Sequence, residues 1–354
     1  MTGALPFVLP PELEATAPPE ERGLRRDAVR LLVAHRRDGR LEHRRFTDLP
    51  GVLEAGDVLA VNRSATLPAS LRGTTDGGRP AELHLSTRLP AGLWVVELRH
   101  PAVPASTPWL DAAPGTVVDL PGGARAELLV PATTSASRLW VAALTLPSGV
   151  LAYLARYGRP IRYRYVDHDR PIGAYQTVFA DEPGSAEMPS AARPFSAELV
   201  TRLVARGVTF APFVLHAGVS SPEAHEPPMA EWYRVPPESA ASVNAARRAG
   251  HRVIAVGTTA VRALETVVDD RGRVHGGEGW TEVVVTPERG VTAVDGIVTG
   301  WHEPEASHLD MLEAIAGRDL LDSSYRAALE EGYLWHEFGD SHLILRGDPR
   351  GPRC

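Results

Sequence analysis

The sequence predicts an α/β main domain that carries an inserted small all-β barrel. Predicted strands alternate with predicted helices in the first and last parts of the chain, which is typical of an α/β sheet. Between residues 63 and 149 the pattern changes to short alternating strands separated by Gly and Pro clusters, which is typical of a small barrel. We therefore expect a discontinuous main domain at 1–62 plus 150–354 and a barrel domain at 63–149.

Each predicted element has a local reason. Runs of β-branched and aliphatic residues predict strands, and the Asp38-Gly39 turn joins the first two strands as a hairpin. Helices are predicted where apolar residues recur at helical spacing, with Ser196 as a cap and Gly207 as a stop in one case. The predicted main-domain strands are 28–34, 41–46, 57–62, 208–216, 252–256, 283–286, 291–297 and 342–345, and the helices are 151–158, 196–206, 237–250, 260–267, 307–316 and 323–332. The predicted barrel strands are 67–73, 81–86, 93–98, 116–120, 125–130 and 139–144.

The composition is that of a globular protein. The chain has 354 residues, of which 44% are hydrophobic, and this allows two domains with a sizeable core. Its one cysteine, Cys354, excludes a disulfide or a cysteine-based metal site within one chain. The N-terminal residues do not have the pattern of a secretory signal, and no apolar run reaches membrane-spanning length. We therefore expect a cytoplasmic protein without a membrane partner.

The stretch 251–266 contains the clearest candidate for ligand binding. A buried strand is followed by Gly257-Thr258-Thr259 and then by a helix, so the first helical amides point outward without internal partners. Such a turn can bind an anion or a polar group, and the two threonines can present hydroxyls or simply cap the helix. Arg262 lies about one turn into the helix and could reach the same place. This pattern alone is equally compatible with a well-capped βα unit.

Several longer segments resemble one protein family. They are GTTAVRALE at 257–265, VDGIVTGWHEP at 294–304, FGDSHLIL at 338–345, and the N-terminal segments 9–33 and 43–71. In this order and at this spacing they resemble the S-adenosylmethionine:tRNA ribosyltransferase-isomerase family of the queuosine pathway. The resemblance runs nearly end to end, and it also implies the α/β domain with an inserted barrel.

The resemblance implies a reaction and its partners. S-adenosylmethionine serves as ribosyl donor, so it is a co-substrate, and no metal is expected. A base removes a proton beside the sulfonium, and the resulting carbanion attacks the aminomethyl side chain of a modified deazaguanine in tRNA. Adenine and methionine then leave. The implied partners are S-adenosylmethionine and, unless the acceptor has changed, tRNA; a monomer is favoured, but the sequence does not determine the oligomeric state.

The candidate site gathers side chains near one edge of the predicted sheet, where ligands of α/β proteins commonly bind. His302 is the best acid or base because an imidazole titrates near neutrality. Asp340 could orient a partner, and Trp301 could stack on an adenine. Each has a structural alternative: a loop histidine bonded to backbone, a turn aspartate and a core tryptophan. The candidate catalytic residues are His302, Glu231 and Asp340, and the candidate substrate-binding residues are Thr258, Thr259, Arg262, Trp301, His216, Tyr175 and Gln176.

The chain departs from the family pattern around this site. Pro194 replaces the histidine of the usual P-T-A-G-L-H-F, and the segment 226–231 lacks both histidines of the usual E-H-x-M-H-x-E, although His225 could be a shifted replacement. A lost polar contact can change substrate specificity strongly. Two alternatives therefore stay open: an S-adenosylmethionine-using enzyme that acts on a small molecule or without an acceptor, and a non-catalytic relative that binds RNA or a nucleoside.

The charge distribution bears on RNA binding. The formal net charge is −7, so the field of the whole molecule does not favour nucleic acid. The stretch 21–45 has nine arginines against four acidic residues, whereas 301–345 has ten acidic residues against two arginines. We expect weak tRNA binding with a shallow salt dependence, with the arginines of 21–45 as its one plausible source.

Overall fold

The computed structural model describes residues 5, 7–133, 138–219, 229–304 and 306–347. The strands in these ranges are β1 (Arg30–His35), β2 (Leu41–Arg45), β3 (Val58–Asn62), β4 (Ser64–Thr66), β5 (Ser70–Thr75), β6 (Pro80–Arg88), β7 (Leu93–His100), β8 (Thr107–Pro108), β9 (Val117–Leu120), β10 (Ala124–Pro131), β11 (Leu139–Thr145), β12 (Glu182–Ser185), β13 (Thr209–Leu215), β14 (Glu231–Val235), β15 (Val253–Val256), β16 (Gly277–Thr281), β17 (Gly296–Thr299) and β18 (Ser341–Leu345). The helices are α1 (Leu49–Val52), α2 (Val150–Tyr157), α3 (Ala197–Ala205), α4 (Pro237–Arg248), α5 (Thr258–Val267), α6 (His308–Ala316) and α7 (Arg318–Glu330). None of the described helices is long and apolar enough to cross a lipid bilayer.

A nine-stranded mixed sheet forms the main domain, in the order β16-β14-β13-β3-β15-β17-β18-β1-β2. Its centre is parallel, because β13 and β15 both pair in parallel with β3, and β15 pairs in parallel with β17. The flanking strands β14 and β18 run antiparallel to their central neighbours. The carboxyl ends of β13, β3, β15 and β17 therefore meet at one edge of the sheet, which we call the carboxyl edge.

Both faces of this sheet are covered, as expected for strands that are apolar throughout. Ala255 of β15 faces a core shared with α4, α5, α6 and α7. Its neighbours Ile254 and Val256 face the opposite core, which includes Phe195 and the apolar face of α3. Ser196 caps α3 as predicted, accepting a hydrogen bond from the Leu199 N–H at 3.1 Å.

The inserted domain is a closed antiparallel barrel, which confirms the predicted fold class. Its ring follows the order β11-β10-β9-β5-β6-β7, and the pairing of β11 with β7 closes it. Helix α2, which we expected with the main domain, packs on the barrel instead. Tyr153 and Leu154 of this helix belong to the barrel core, together with Leu71, Val96 and Trp140.

Two predicted strands differ from the structure, and two strands at the edge of the sheet were not predicted. The predicted strand 291–297 is irregular up to residue 295, and only its last two residues belong to β17. The β-branched run at 283–286 is irregular in the structure. Val285 packs into the core, and the Val283 carbonyl oxygen accepts a hydrogen bond from Arg262 Nε at 3.1 Å rather than from a neighbouring strand. β14 and β16 pair with each other at the sheet edge, where their mixed polar sequences give no clear alternation.

Two buried rings lie next to each other without polar partners. His342 is 0% exposed and Trp301 is 1% exposed, and their rings stack at 4.6 Å with an interplanar angle of 9°. Within the described part of the chain, the two ring nitrogens of His342 and the Nε1 atom of Trp301 all lack a hydrogen-bond partner. Burial lowers the pKa of His342 to about 3, so its imidazole is neutral at physiological pH.

We expect His342→Leu to stabilise the protein, and more strongly at low pH. The pKa of His342 is about 3 in the folded state against 6.5 ordinarily. The unfolded state therefore binds more protons, and wild-type stability falls as the pH drops below the unfolded pKa. The variant lacks this group, so its advantage should grow by about 2 kcal/mol between about pH 7 and pH 5. Urea unfolding at both pH values measures this, with exposed His168→Leu as the control; an advantage independent of pH would contradict it.

Candidate active site at the carboxyl edge

The carboxyl edge is held together by Asn62, the last residue of β3. Its Nδ2 donates to the Leu215 carbonyl oxygen at 2.8 Å, and its Oδ1 accepts from the N–H groups of Leu215 (3.1 Å) and Ser64 (3.0 Å). Nδ2 also lies 3.4 Å from Thr259 Oγ1. One buried amide thus links the ends of β13 and β3 to the start of α5. Sequence reasoning missed Asn62, although the strand-end rule that selected His216 applies to it equally.

The turn between β15 and α5 is close to three other parts of the edge. Gly257 has φ of +89°, a conformation that favours glycine, and its N–H donates to the Val298 carbonyl oxygen at 2.8 Å. A Cβ atom at Gly257 would lie 3.4 Å from Ala191 Cβ, so the 188–195 segment packs on this turn. Thr258 and Thr259 are half-buried at the first positions of α5. The structure therefore brings the Gly-Thr-Thr turn, the 188–195 segment and the end of β17 together.

His216 follows β13 and is held by two buried serines. Its Nδ1 lies 2.8 Å from Ser64 Oγ, which lies 2.6 Å from Ser185 Oγ. The ring stacks on Trp232 at 5.3 Å, and a methyl group at Gly184 would overlap it, so glycine is needed there. Burial lowers the pKa of His216, which leaves the imidazole neutral at physiological pH. Nothing in the sequence pattern pointed to Ser64 or Ser185.

His302 follows β17 and lies among other histidines. Its Nε2 is 2.9 Å from Thr299 Oγ1, and its ring stacks on His308 at 4.7 Å. Burial lowers the pKa of His302 well below its usual value, and His308 contributes to the shift. Burial and then Arg262 lower the pKa of His308 to about 4. Both rings are neutral near pH 7, so neither is a ready proton donor, and the burial that lowers the pKa of His302 also makes it a weaker base.

Arg262 and Glu231 form a buried ion pair, and their side chains are 8% and 12% exposed. The three guanidinium nitrogens donate to Glu231 and to backbone carbonyl oxygens, which are those of Met229 (3.2 Å), Thr281 (3.2 Å) and Val283 (3.1 Å). The other oxygen of Glu231 accepts from the Gly218 N–H at 2.9 Å. Burial raises the pKa of Glu231, and Arg262 opposes this shift. The pair connects α5 to β14 and β16. The Arg262 guanidinium therefore points toward these strands and does not reach the Gly-Thr-Thr turn, contrary to the expectation from the sequence.

The side chains of Trp301 and Asp340 are buried and make their contacts within the protein. The Trp301 ring is enclosed by other rings, which are those of Tyr325, Tyr333, Trp335 and His342. It therefore cannot act as an open shelf for an adenine. The Asp340 carboxylate accepts from the N–H groups of Arg30 (2.7 Å) and Leu334 (2.8 Å). It ties β1 to the turn before β18 and does not orient His302. Sequence spacing does not show which way a strand-end side chain points, and this is why both expectations are corrected.

Tyr175 and Gln176 lie beside Thr66 of β4, at the junction with the barrel. The Gln176 amide pairs with the backbone of Thr66, donating to its carbonyl oxygen at 2.8 Å and accepting from its N–H at 3.0 Å. Tyr175 lines a cavity of about 20 Å³, which has room for about one water molecule. The cavity is lined by Thr66, Pro160, Ile161, Tyr163, Tyr175, Ala186, Glu187, Met188 and Glu337. Burial raises the pKa of Glu337 to about 7, a feature that sequence reasoning missed.

No group of three or more His, Cys, Asp or Glu side chains in the described ranges is arranged to hold a metal ion. His168 and Asp167, the adjacent polar residues of the 163–170 loop, pair with each other at 2.8 Å, and Asp167 also pairs with Arg170 at 2.7 Å. His225 lies outside the described residues, so its relation to the site stays a prediction.

Comparison with known proteins decides the family. A family described as "Queuosine biosynthesis protein" matches residues 2–344. The chain belongs to this family. An S-adenosylmethionine:tRNA ribosyltransferase-isomerase of Symbiobacterium thermophilum is 38% identical over 348 residues, covering 96% of this chain and 98% of that protein. A protein of the same name from Thermus thermophilus is 36% identical, covering 97% of this chain and 99% of that protein.

A solved structure supports the same conclusion. The S-adenosylmethionine tRNA ribosyltransferase of Thermotoga maritima is 30% identical and superimposes with a TM-score of 0.53, covering 96% of this chain and 99% of its own. The family resemblance predicted from the sequence is thereby confirmed. The roles of individual site residues are not decided by these comparisons.

We expect Arg262→Gln to lower the free energy of unfolding by about 3–5 kcal/mol, because it leaves the Glu231 carboxylate buried without its partner. Adding Glu231→Gln to this variant should restore part of the loss, since no buried charge then remains. The more exposed pair of Arg234 with Glu182 is the matched control, and Arg234→Gln should cost less than about 1 kcal/mol. Urea unfolding of the four proteins measures this. Equal losses for Arg262→Gln and Arg234→Gln would show that the pair does not fasten the edge.

Proposed function

We propose that this protein transfers and isomerises the ribosyl moiety of S-adenosylmethionine onto a modified base of tRNA. The observation that carries the proposal is the family match over nearly the whole chain, with relatives that bear this activity in their names. The two alternatives, an enzyme with a small-molecule acceptor or none and a non-catalytic binder, are not favoured by those names.

The carboxyl edge has features that suit S-adenosylmethionine. The first amides of α5 and the hydroxyls of Thr258 and Thr259 offer hydrogen bonds to a carboxylate such as that of the methionine moiety. Three histidines at or near the ends of β13 and β17, which are His216, His302 and His308, have lowered pKa values, so they carry no positive charge at neutral pH. A sulfonium cation placed there meets no like charge from these rings. In this proposal His302 is the general base and the Arg262–Glu231 pair positions α5.

This proposal predicts release of adenine and methionine from S-adenosylmethionine only when tRNA carrying the aminomethyl deazaguanine is present. His302→Gln should lower kcat by about 100-fold, because a neutral base at this position would be lost. His168→Gln, at an exposed histidine, is the control. Chromatography of the products measures both. Release without tRNA would support the small-molecule alternative. If S-adenosylmethionine is neither bound nor turned over, the non-catalytic alternative is supported. An unchanged kcat in His302→Gln would assign the base elsewhere.

The arginines of 21–45 are poorly available for phosphate. Most of them already have acidic or backbone partners: Arg25 with Asp27 and Glu198, Arg26 with Glu20, Arg30 with Glu331, Arg40 and Arg44 with Glu42, Arg36 with the Ile315 carbonyl oxygen and Arg45 with the Ala28 carbonyl oxygen. Each such partner competes with RNA phosphate for the same guanidinium. The pairing therefore supports the expectation of weak tRNA binding.

We accordingly predict a shallow salt dependence of tRNA affinity, because few counterions are released when few free cations meet the phosphates. The triple variant Arg36→Ala, Arg37→Ala, Arg40→Ala should change the affinity only a few-fold. Filter binding at two salt concentrations measures both quantities. Tight binding that collapses with salt and is lost in the triple variant would show that this stretch is the RNA contact.

A further inference from the structure

The two serines beside His216 determine where its ring proton sits. Ser64 and Ser185 are both 0% exposed, so each hydroxyl proton must find a protein acceptor or remain unsatisfied in the interior. Ser185 Oγ already accepts a hydrogen bond from the Ala217 N–H at 3.0 Å. Ser64 Oγ is the acceptor available to the Ser185 proton within the described residues, at 2.6 Å. Ser185 therefore donates to Ser64.

The same reasoning continues to the histidine. With its oxygen accepting from Ser185, Ser64 has one proton of its own, and His216 Nδ1 lies 2.8 Å away. Ser64 therefore donates to Nδ1, which must be the unprotonated nitrogen of the ring. The reverse direction, with Nδ1 donating to Ser64 and Ser64 to Ser185, would leave the buried Ser185 proton without an acceptor, at a cost of about 1–3 kcal/mol.

We propose that His216 is a fixed hydrogen-bond donor whose proton is on Nε2, and that this N–H binds an acceptor nitrogen of the adenine ring of the substrate. Ser64 and Ser185 act as positioning residues, because they reach the ligand only through His216. The assignment of the ligand rests on the proposed function, whereas the assignment of the tautomer does not.

Two observations point to a flat heteroaromatic acceptor. In the described ranges no residue accepts a hydrogen bond from His216 Nε2, and His216 is half-exposed. The Trp232 ring lies beside it, nearly parallel at 23°, and the Arg234 guanidinium is 5.5 Å from that indole, so an extended π surface borders the donor. The donor is also linked to the Gly-Thr-Thr turn, because Asn62 donates to Leu215, the residue before His216, and to Thr259. A neutral imidazole here donates a hydrogen bond and does not transfer its proton.

The tautomer is tested directly by long-range ¹H–¹⁵N spectra of the full-length protein with ¹⁵N-labelled histidine, with His216→Phe to assign the signals. At pH 7 we expect the ¹⁵N chemical shift of Nε2 in the range of a protonated ring nitrogen and that of Nδ1 in the range of an unprotonated one. Ser64→Ala should produce a mixture of tautomers, because Nδ1 loses its donor. Ser70→Ala, which removes a buried hydroxyl that donates to Glu82 in the barrel, is the matched control. A proton on Nδ1 in the wild type, or an unchanged tautomer in Ser64→Ala, would overturn the relay.

The ligand is tested by calorimetric titration with adenosine and with its 1-deaza, 3-deaza and 7-deaza analogues. The analogue that lacks the contacted nitrogen should bind the wild type about 2- to 10-fold more weakly than adenosine does, the range expected for one lost hydrogen bond. His216→Phe keeps a ring beside Trp232 but cannot donate, so it should bind adenosine and that analogue equally. If all three analogues weaken binding by the same factors in both proteins, His216 does not contact the base. Adenosine binding without tRNA-dependent release of adenine would instead count against the proposed function alone.

Discussion

The buried amide of Asn62 is the interaction on which the candidate site depends. It satisfies both backbone groups of Leu215 and the N–H of Ser64 from one side chain that is 0% exposed. Buried polar groups without partners are costly, so strands that end around this amide have little freedom to shift. His216 is the residue after Leu215, and Ser64 contacts it directly. The position of the donor nitrogen of His216 is therefore set by hydrogen bonds that begin at Asn62.

Desolvation, rather than any ion pair, sets the chemistry of the histidines at this edge. It is the first cause of the lowered pKa of His216, His302 and His308 alike. The nearby Arg262 is matched by Glu231 within the core. A region with neutral imidazoles and a compensated arginine can accept a cationic substrate without electrostatic repulsion, which a cluster of charged histidines would not allow.

The fold and the site were predictable to different degrees. The strands and helices of the main domain and the six barrel strands follow from apolar periodicity and from Gly and Pro punctuation, because these patterns are local in the chain. The irregular segments 283–286 and 291–295 were exceptions, since Val285 and Val291 are buried by packing on the core without pairing in the sheet. Likewise, the polar edge strands β14 and β16 exist because each has a neighbour to pair with.

By itself the sequence determined the family and the α/β domain with its inserted barrel, and it predicted a set of strand-end residues as candidates for the site. Only the tertiary structure decided which way those side chains point and what they contact. Trp301 and Asp340 turn into the core, Arg262 turns toward Glu231, and Ser64 meets Ser185 across 121 positions of the chain. The physical reason is that side-chain direction and long-range hydrogen bonds depend on how distant strands pack. The spacing of residues along the chain shows the periodicity of each strand, but it does not show which distant residues its side chains will contact.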